Sequence, residues 1–355
     1  MLTDLSPALR EIQYAQLGTF PGLLRHLAIY IPRRLWFSRL LKNTPNFEPK
    51  DRRVAILLSS DTEFDPPSGN ETWQRRSTTR LVDGLPRFLE VCDVFRASAT
   101  LFSEGKLVEQ LPDLFRDLAR NHEIGCHSYA HEWLGTKSPP RATLRRDDLA
   151  PLRPIDKENV LRRAIAAIQD ATGKKPRSFK APFNSIDDPS TLQLLDQLGF
   201  VSDSSLPCFN HESSSLLPTT VRHTNRSNLW TEGDANLIEI PHFVRARLML
   251  FHPFDLGESV TQLLSRGTKP AVEDVDLLCR MDSLLGKSSS VVHLSSHPWE
   301  FSELDGRRNK ASTQRLVGYL SELMHRFDVE FLTMTEFAAK WEKESCRKHA
   351  EGLNG

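Results

Sequence analysis

The chain has 355 residues, enough for one large domain with an appendage or for two ordinary domains. Lys and Arg together number 46, as do Asp and Glu, so the net charge gives no reason to expect a nucleic acid or an acidic partner. The five cysteines are widely spaced and form no CxxC pair. This spacing argues against a disulfide framework or a cysteine-based zinc site and favours a reducing compartment.

The amino-terminal residues MLTDLSPALREIQ lack the basic start and the apolar core of a secretory signal. The sequence also contains no apolar run of about 18 residues, the length that a membrane-spanning helix needs. We therefore expect a cytoplasmic protein.

Three regions differ in composition. Residues 1–50 form a predicted helical extension, residues 51–344 the main domain, and residues 345–355 a polar tail expected to fray. Within the extension, residues 20–44 mix large apolar side chains with Arg and Lys. This segment either lies on an anionic membrane surface as an amphipathic helix or packs its apolar side against the main domain.

From residue 52, short apolar runs alternate with segments of helical spacing, which predicts parallel βα units. The predicted strands or strand ends are Val54–Leu58, Ala99–Phe102, Glu123–Cys126, Phe179–Ala181, Phe200–Asp203, a run opening at Val291, and Val329–Leu332. The predicted helices are Thr79–Val94, Lys106–Asn121, Lys157–Thr172, Pro189–Leu198, Val260–Leu264, Val272–Leu285, Thr313–Arg326 and a segment from Thr335. Asn210–Asn236, which is polar and weakly periodic, is expected to be a long loop or irregular insert.

Acidic and histidine side chains cluster just after the predicted strands. His127 and His131 are four residues apart, a spacing that lets both grip one divalent ion from a helix or tight turn. Asp61 and Glu63 follow the first strand, and His297 follows a late one. Because an α/β barrel gathers the carboxyl ends of its strands on one face, the sequence predicts a metal-dependent hydrolase.

Five segments appear in a characteristic order: Asp61-Thr-Glu63, ATLF at Ala99–Phe102, HEIGCHSYAHEW at His122–Trp133, FKAPF at Phe179–Phe183, and HPWEF at His297–Phe301. Together they resemble the successive motifs of the polysaccharide deacetylase superfamily (NodB homology, carbohydrate esterase family 4), in its D-x-E subset. The resemblance covers about residues 54–340 and implies an α/β fold. That fold is a distorted, incomplete parallel (β/α) barrel of the seven-stranded NodB-homology type, here with the N-terminal helical extension.

The resemblance implies a metal site made by Glu63, His127 and His131, with zinc as the expected ion. Three protein ligands leave coordination positions open for water and for a substrate carbonyl. The expected substrate is a carbohydrate or glycan precursor that carries an acetyl or formyl group on an amino sugar.

The same resemblance assigns the proton-transfer groups. Asp61 corresponds to the base that takes a proton from the attacking water, and His297 to the acid that protonates the leaving group. The backbone N–H of Phe183 corresponds to an oxyanion donor. Trp133, Phe183 and Trp299 are candidates for stacking on a sugar ring, with core packing as the alternative for Trp299.

The chain departs from the common family pattern at two positions. The first motif has Glu63 where many members have a second Asp, and the third motif has Lys180 where Arg is usual, so a point charge replaces a rigid fork beside Asp61. Asp65 is an alternative to Glu63 as the metal ligand, an outer-shell group or, as we favour, a cap or turn residue before two prolines. Asp203 corresponds loosely to the acid that tunes the catalytic histidine, or is a solvated strand-end residue.

Two other functions stay open. One is the hydrolysis of a non-sugar amide such as a cyclic ureide, which the D-x-E motif suggests. The other is a catalytically weak family member that binds glycan, for which Lys180 is the one supporting feature.

Overall fold

The computed structural model describes residues 49–66, 76–136, 151–186, 188–205, 267–284, 289–304 and 311–341, with the short pieces 222–223, 230–231, 237–240, 261 and 264. The predictions made above for residues 1–48, for the tail 345–355 and for most of Asn210–Asn236 lie outside these residues.

Ten strands and seven longer helices follow one another in the described residues. The strands are β1 Arg53–Thr62, β2 Thr100–Ser103, β3 Glu123–Cys126, β4 Ser178–Phe179, β5 Ser202–Asp203, β6 Arg222–His223, β7 Trp230–Thr231, β8 Ile238–Glu239, β9 Ser289–Ser296 and β10 Asp328–Phe331. The helices are α1 Thr79–Phe95, α2 Gly105–Gln110, α3 Pro112–Leu118, α4 Pro154–Thr172, α5 Pro189–Gln197, α6 Thr268–Leu284 and α7 Ser312–Arg326. Single 3₁₀ turns occur at Pro49–Asp51, Pro182–Asn184 and Pro298–Glu300, and residues 334–341 are helical.

Seven parallel strands run in the order β9-β1-β2-β3-β4-β5-β8 and form a curled, incomplete barrel with helices around it, as the sequence predicted. Within the described residues, no pairing joins β8 to β9 to close the barrel. β10 is also parallel and shares one edge of β1 with β2, because β9 occupies the other edge over residues 53–60. All these strands end on the same side, so residues that follow them can meet.

The amino end of the barrel is filled by apolar side chains. Ala55 and Leu57 of β1 pack with Phe102, Val291 and a group from the carboxyl-terminal helical segment. That group consists of Met334, Phe337 and Ala338. A larger apolar cluster fills the space between the sheet and helices such as α1, whose buried Leu81, Leu85 and Phe88 recur at helical spacing.

Local differences separate prediction from structure, among them strand β8, which the sequence did not predict. The expected helix Lys106–Asn121 is two helices, α2 and α3, and Pro112 begins the second. Proline lacks an N–H and clashes with the preceding turn, so a helix readily restarts there. β1 extends past Leu58 to Thr62, and β6 and β7 pair as an antiparallel hairpin inside the segment expected to be irregular. None of the described helices has the length and hydropathy needed to span a lipid bilayer.

Candidate active site

Strand β1 delivers the two acidic residues of the site. Side chains alternate along a strand, so Asp61 points to the same face as Ala55 and Leu57, into the barrel. Glu63 follows directly after the last strand residue. Both carboxylates are buried, with side-chain exposures of 8% for Asp61 and 5% for Glu63.

Glu63, His127 and His131 form a group in which one ligand atom from each residue lies within 4.8 Å of the others. Glu63 Oε2 is 3.5 Å from His127 Nε2 and in direct contact with His131 Nε2. This buried oxygen has no hydrogen bond of acceptable geometry, which is costly unless another partner satisfies it. Two imidazoles and a carboxylate are the donor set that zinc and similar divalent ions bind. The residues present therefore fit a metal ion.

A contact behind the ring fixes the orientation of His127. Its Nδ1 lies 2.7 Å from the backbone oxygen of Lys180. A carbonyl oxygen only accepts, so Nδ1 carries the proton and donates it. In the neutral ring, Nε2 then presents its lone pair toward Glu63, which is the arrangement that metal-binding histidines adopt.

The two histidines have opposite pKa shifts. Burial, opposed by the nearby Glu63, lowers the pKa of His131 to about 4, so this ring stays neutral near pH 7. Burial also disfavours the charged form of His127, but the adjacent Glu63 and Asp61 outweigh it and raise the pKa of His127. The shifts differ because both Glu63 and Asp61 act on His127, whereas the charges of Arg76 and His127 add to the lowering of the His131 pKa.

The loop between the two histidines is a tight turn with unusual backbone conformations. Ser128 has φ 59° and His131 has φ 65°, in the left-handed region that non-glycine residues seldom adopt. The Glu132 carboxylate accepts hydrogen bonds from the backbone N–H groups of Tyr129 (3.1 Å) and Ala130 (2.9 Å), which holds the turn. Such local strain is concentrated at functional sites because the surrounding contacts enforce it.

Asp61 is paired with Lys180. The ammonium nitrogen lies 2.8 Å from Oδ1 and 2.7 Å from Oδ2 of Asp61, and 2.8 Å from the hydroxyl of Ser295. Burial would raise the pKa of Asp61, but Lys180, aided by His127 and His297, lowers it to about 2. Lysine thus occupies the position next to the expected base and keeps that base ionised.

His297 follows β9 and completes the group. Its Nε2 lies 3.5 Å from Asp61 Oδ2 and 3.8 Å from Glu63 Oε1, and its ring stacks on Trp299 at 4.3 Å. Burial opposes ionisation, but Glu300 and Asp61 outweigh it and raise the pKa of His297. The His297 side chain is 30% exposed, whereas those of Asp61, Glu63, His127, His131 and Lys180 are at most 8% exposed.

Helix α1 holds the turn that carries His297. Gly84 has no Cβ, and a Cβ there would lie 1.8 Å from the backbone oxygen of Pro298. The Asp83 carboxylate accepts hydrogen bonds from the Ser302 hydroxyl and the Glu303 backbone N–H, both at 2.8 Å. Only glycine permits this close approach of the helix to the turn.

Phe183 lies in a 3₁₀ turn directly after β4 and has φ 56°. Its ring meets the edge of His131 at 4.4 Å and lies 6.0 Å from the Trp133 ring. The structure therefore brings the expected oxyanion residue against a metal-ligand candidate, and Trp133 packs behind it.

Asp65 caps helix α1. Its Oδ1 accepts a hydrogen bond from the Leu81 N–H, and its Oδ2 accepts from the Arg80 N–H, both at 2.9 Å, and from the Ser77 hydroxyl. These bonds satisfy backbone donors that the first helical turn leaves open. The cap interpretation is confirmed, and Glu63 rather than Asp65 lies in the group with the two histidines.

Asp203 does not lie beside His297, which corrects one interpretation. Asp203 is paired in register with Phe179 of β4 and Glu239 of β8, so its side chain lies on the same face of the sheet as that of Phe179. Lys180, the next residue after Phe179, reaches Asp61 inside the barrel. Alternation therefore puts Asp203 on the outer face of the sheet. It is 1% exposed, so it is not solvated either. Burial, opposed by hydrogen bonds, raises the pKa of Asp203 to about 6.

Asp203 instead supports the loop after β4. Its Oδ1 accepts a hydrogen bond from the Ser205 hydroxyl, whose oxygen accepts the Ala181 N–H at 2.7 Å. Ala181 precedes the turn that bears Phe183. Another buried histidine of the barrel, His293, lies with its Nε2 2.7 Å from the hydroxyl of Ser59.

Sequence reasoning missed two charged residues beside Glu63. Arg76 and Glu104 form a buried ion pair, with 2.6 Å between Nη2 and Oε2. Glu104 directly follows β2, so an acidic residue at a strand end was the available signal. Arg76 carries no such signal because it lies in a loop before α1.

The fold is shared with a solved structure. Over 85% of this chain and 95% of the other, the structure of Puue Allantoinase matches with a TM-score of 0.54 at 15% identity. At that identity the likeness concerns the fold alone.

Two curated proteins are similar in sequence. A peptidoglycan deacetylase-like protein, FGM2 from Gibberella zeae, is 31% identical over 187 residues, covering 49% of this chain and 50% of its own length. A peptidoglycan deacetylase from Helicobacter pylori is 31% identical over 124 residues, covering 35% of this chain and 37% of its own length. The chain thus spans half or less of the curated relatives it matches.

Residues 81–202 match the family model for polysaccharide deacetylase. This segment contains His127, His131, Lys180 and Phe183, and the structure brings Asp61, Glu63 and His297 to it from outside the matched range. Over residues 81–202 the chain is therefore similar to the polysaccharide deacetylase family.

Proposed function

We propose that the protein is a metal-dependent hydrolase that removes an acetyl or formyl group from an amino sugar or a glycan precursor. The observation that carries the proposal is the convergence of a three-ligand group, Glu63, His127 and His131, with Asp61 and His297. The family match over residues 81–202 and the names of the two relatives support a carbohydrate deacetylase.

Glu63, His127 and His131 would hold the ion, and zinc suits their nitrogen and oxygen donors. A divalent ion, when bound, supplies Lewis acidity that polarises a carbonyl and makes water nucleophilic near pH 7. Asp61 is suited to accept a proton from the attacking water, because its low pKa of about 2 keeps it ionised. Lys180 holds the carboxylate in orientation through both oxygens.

His297 would donate a proton to the leaving amine. Its raised pKa keeps a fraction of the ring protonated near pH 7, and its partial exposure leaves room for a leaving group that extends toward solvent. The Phe183 N–H would stabilise the oxyanion, and Trp133 and Trp299 would offer ring faces to a sugar.

A deacylation screen with added zinc tests this proposal. The panel contains free N-acetyl and N-formyl amino sugars, peptidoglycan fragments, lipid-linked amino sugars and cyclic ureides, and released acid or amine is measured. We expect turnover of an acylated amino sugar that chelation removes and added zinc restores. Turnover of ureides alone would mean that the protein hydrolyses a non-sugar amide. Glycan binding without turnover would mean that it is a catalytically weak, glycan-binding member of the family.

A cytoplasmic location and a membrane contact through residues 20–44 remain predictions. Sedimentation with anionic vesicles tests the second, and binding that weakens with added salt would support it, because salt screens exposed charges over about 8–10 Å.

A further inference from the structure

Two buried carboxylates, Glu63 and Glu104, lie close together beyond the ends of β1 and β2, and Arg76 is the cation between them. Arg76 Nη2 lies 2.7 Å from Oε1 and 2.6 Å from Oε2 of Glu104. Its Nη1 lies 3.9 Å from Glu63 Oε2. The guanidinium is therefore hydrogen-bonded to Glu104 and lies too far from Glu63 Oε2 for a hydrogen bond.

The pair also fixes the backbone next to Glu63. Arg76 Nη1 donates to the carbonyl oxygen of Phe64 at 3.1 Å, and the Phe64 N–H donates to Glu104 Oε1 at 3.0 Å. All three charged side chains are at most 5% exposed, so solvent screens these contacts little. Both the backbone N–H and the backbone C=O of Phe64, the residue after Glu63, are thus hydrogen-bonded to this ion pair.

The charges of the site are matched one to one. Asp61 is paired with Lys180 and Glu104 with Arg76, whereas the nearest Lys or Arg nitrogen to Glu63 Oε2 among the described contacts is Arg76 Nη1, at 3.9 Å. Burial and the neighbouring Glu63, opposed by Arg76, raise the pKa of Glu104 to about 7. Arg76 is what allows two carboxylates to share this buried space.

We propose that Glu104 is a positioning residue for the metal ligand Glu63. By binding the guanidinium of Arg76, it keeps a competing cation away from the oxygen that a metal ion requires. A guanidinium pairs with a carboxylate through two parallel hydrogen bonds, so a released Arg76 would cover Glu63 and oppose the charge of the ion. The inference rests on the metal site proposed above.

Glu104→Gln tests the inference with little change of shape. The amide oxygen can still accept the Phe64 N–H, so mainly the charge that holds Arg76 is lost. We expect zinc affinity, measured by calorimetric titration against a competing chelator, to fall about 10–100-fold, the range for outer-shell changes around metal ligands. Arg76→Gln with Glu104→Gln removes the competing cation, and we expect affinity within a few-fold of the wild type.

A matched control is the ion pair of the buried Lys157 with Asp188, with 3.0 Å between Nζ and Oδ2, which joins α4 to the start of α5. Lys157→Met should lower the thermal midpoint of the metal-free protein and leave zinc affinity unchanged. If Glu104 were only structural, Glu104→Gln would behave like this control, and the double variant would be no better than the single one. Either result overturns the inference. A wild-type protein that binds no zinc overturns the metal site itself, and the inference with it.

Discussion

The two halves of strand β1 lie in opposite environments. Residues 54–58 are apolar and pack on both faces of the sheet, whereas residues 59–62 and the following Glu63 are polar, yet equally buried. Apolar burial stabilises the fold by about 25 cal/mol per Å². Burying charges disfavours folding unless each is paired, and a pair is often no better than an apolar substitute.

The difference indicates that the first half of β1 stabilises the fold while the second half holds chemical groups in place. Each carboxylate at this end of the sheet has its own partners: Lys180 for Asp61, Arg76 for Glu104, which follows β2, and two imidazoles for Glu63. Positive φ angles at Ser128, His131, Phe183 and Asn184 belong to the loops of this same end. Variants in the two halves should therefore fail in different ways.

The largest effect should come from the metal group. We expect the double variant His127→Ala with His131→Ala to lose bound zinc and all turnover, because only Glu63 remains of three ligands. Metal content by atomic emission measures this. His122→Ala, which changes a half-buried histidine outside the group, should keep both properties. Full zinc stoichiometry in the double variant would mean that the metal lies elsewhere.

Asp61→Asn should keep the metal and lose about 10²–10⁴-fold in kcat, the contribution typical of a general base, because an amide cannot accept the proton. His297→Ala should lose activity in the same range through the missing acid. Steady-state kinetics on the best substrate of the screen, with zinc content determined in parallel, measures both. A variant with near wild-type turnover would remove its residue from the mechanism.

The apolar half should respond in stability. We expect Leu57→Ala to lower the free energy of unfolding by about 2–5 kcal/mol, since Leu57 is fully buried. The folded variant should bind zinc as the wild type does. Urea unfolding measures the change, and Val82→Ala, at a position 56% exposed, should shift it by no more than about 0.5 kcal/mol. Loss of zinc by folded Leu57→Ala protein would contradict this division of β1.

The smallest effect concerns Lys180. The base must be deprotonated, and Lys180 lowers the pKa of Asp61, so Lys180→Met should raise that pKa. The acid limb of the pH–rate profile should then move to higher pH while zinc stays bound. Lys157→Met serves as the matched change at a remote buried lysine. An acid limb that does not move would mean that Lys180 does not tune the base.

The sequence by itself determined the order of the strands and helices other than β6, β7 and β8, and the grouping of Asp61, Glu63, His127 and His297. Each lies after an apolar run, and parallel strands end on one side, so a periodic pattern was enough to bring them together. It also gave the cap interpretation of Asp65, since an Asp before a helix commonly caps it.

Tertiary structure alone decided on which face of the sheet each polar side chain lies and which side chain it contacts. Asp203 follows a strand as Lys180 does, but the register of β4 with β5 turns it outward. Arg76 and Glu104 meet across 28 residues of sequence, and the His297 turn is held by Gly84 of α1. Such contacts depend on distances between elements, which spacing along the chain does not encode.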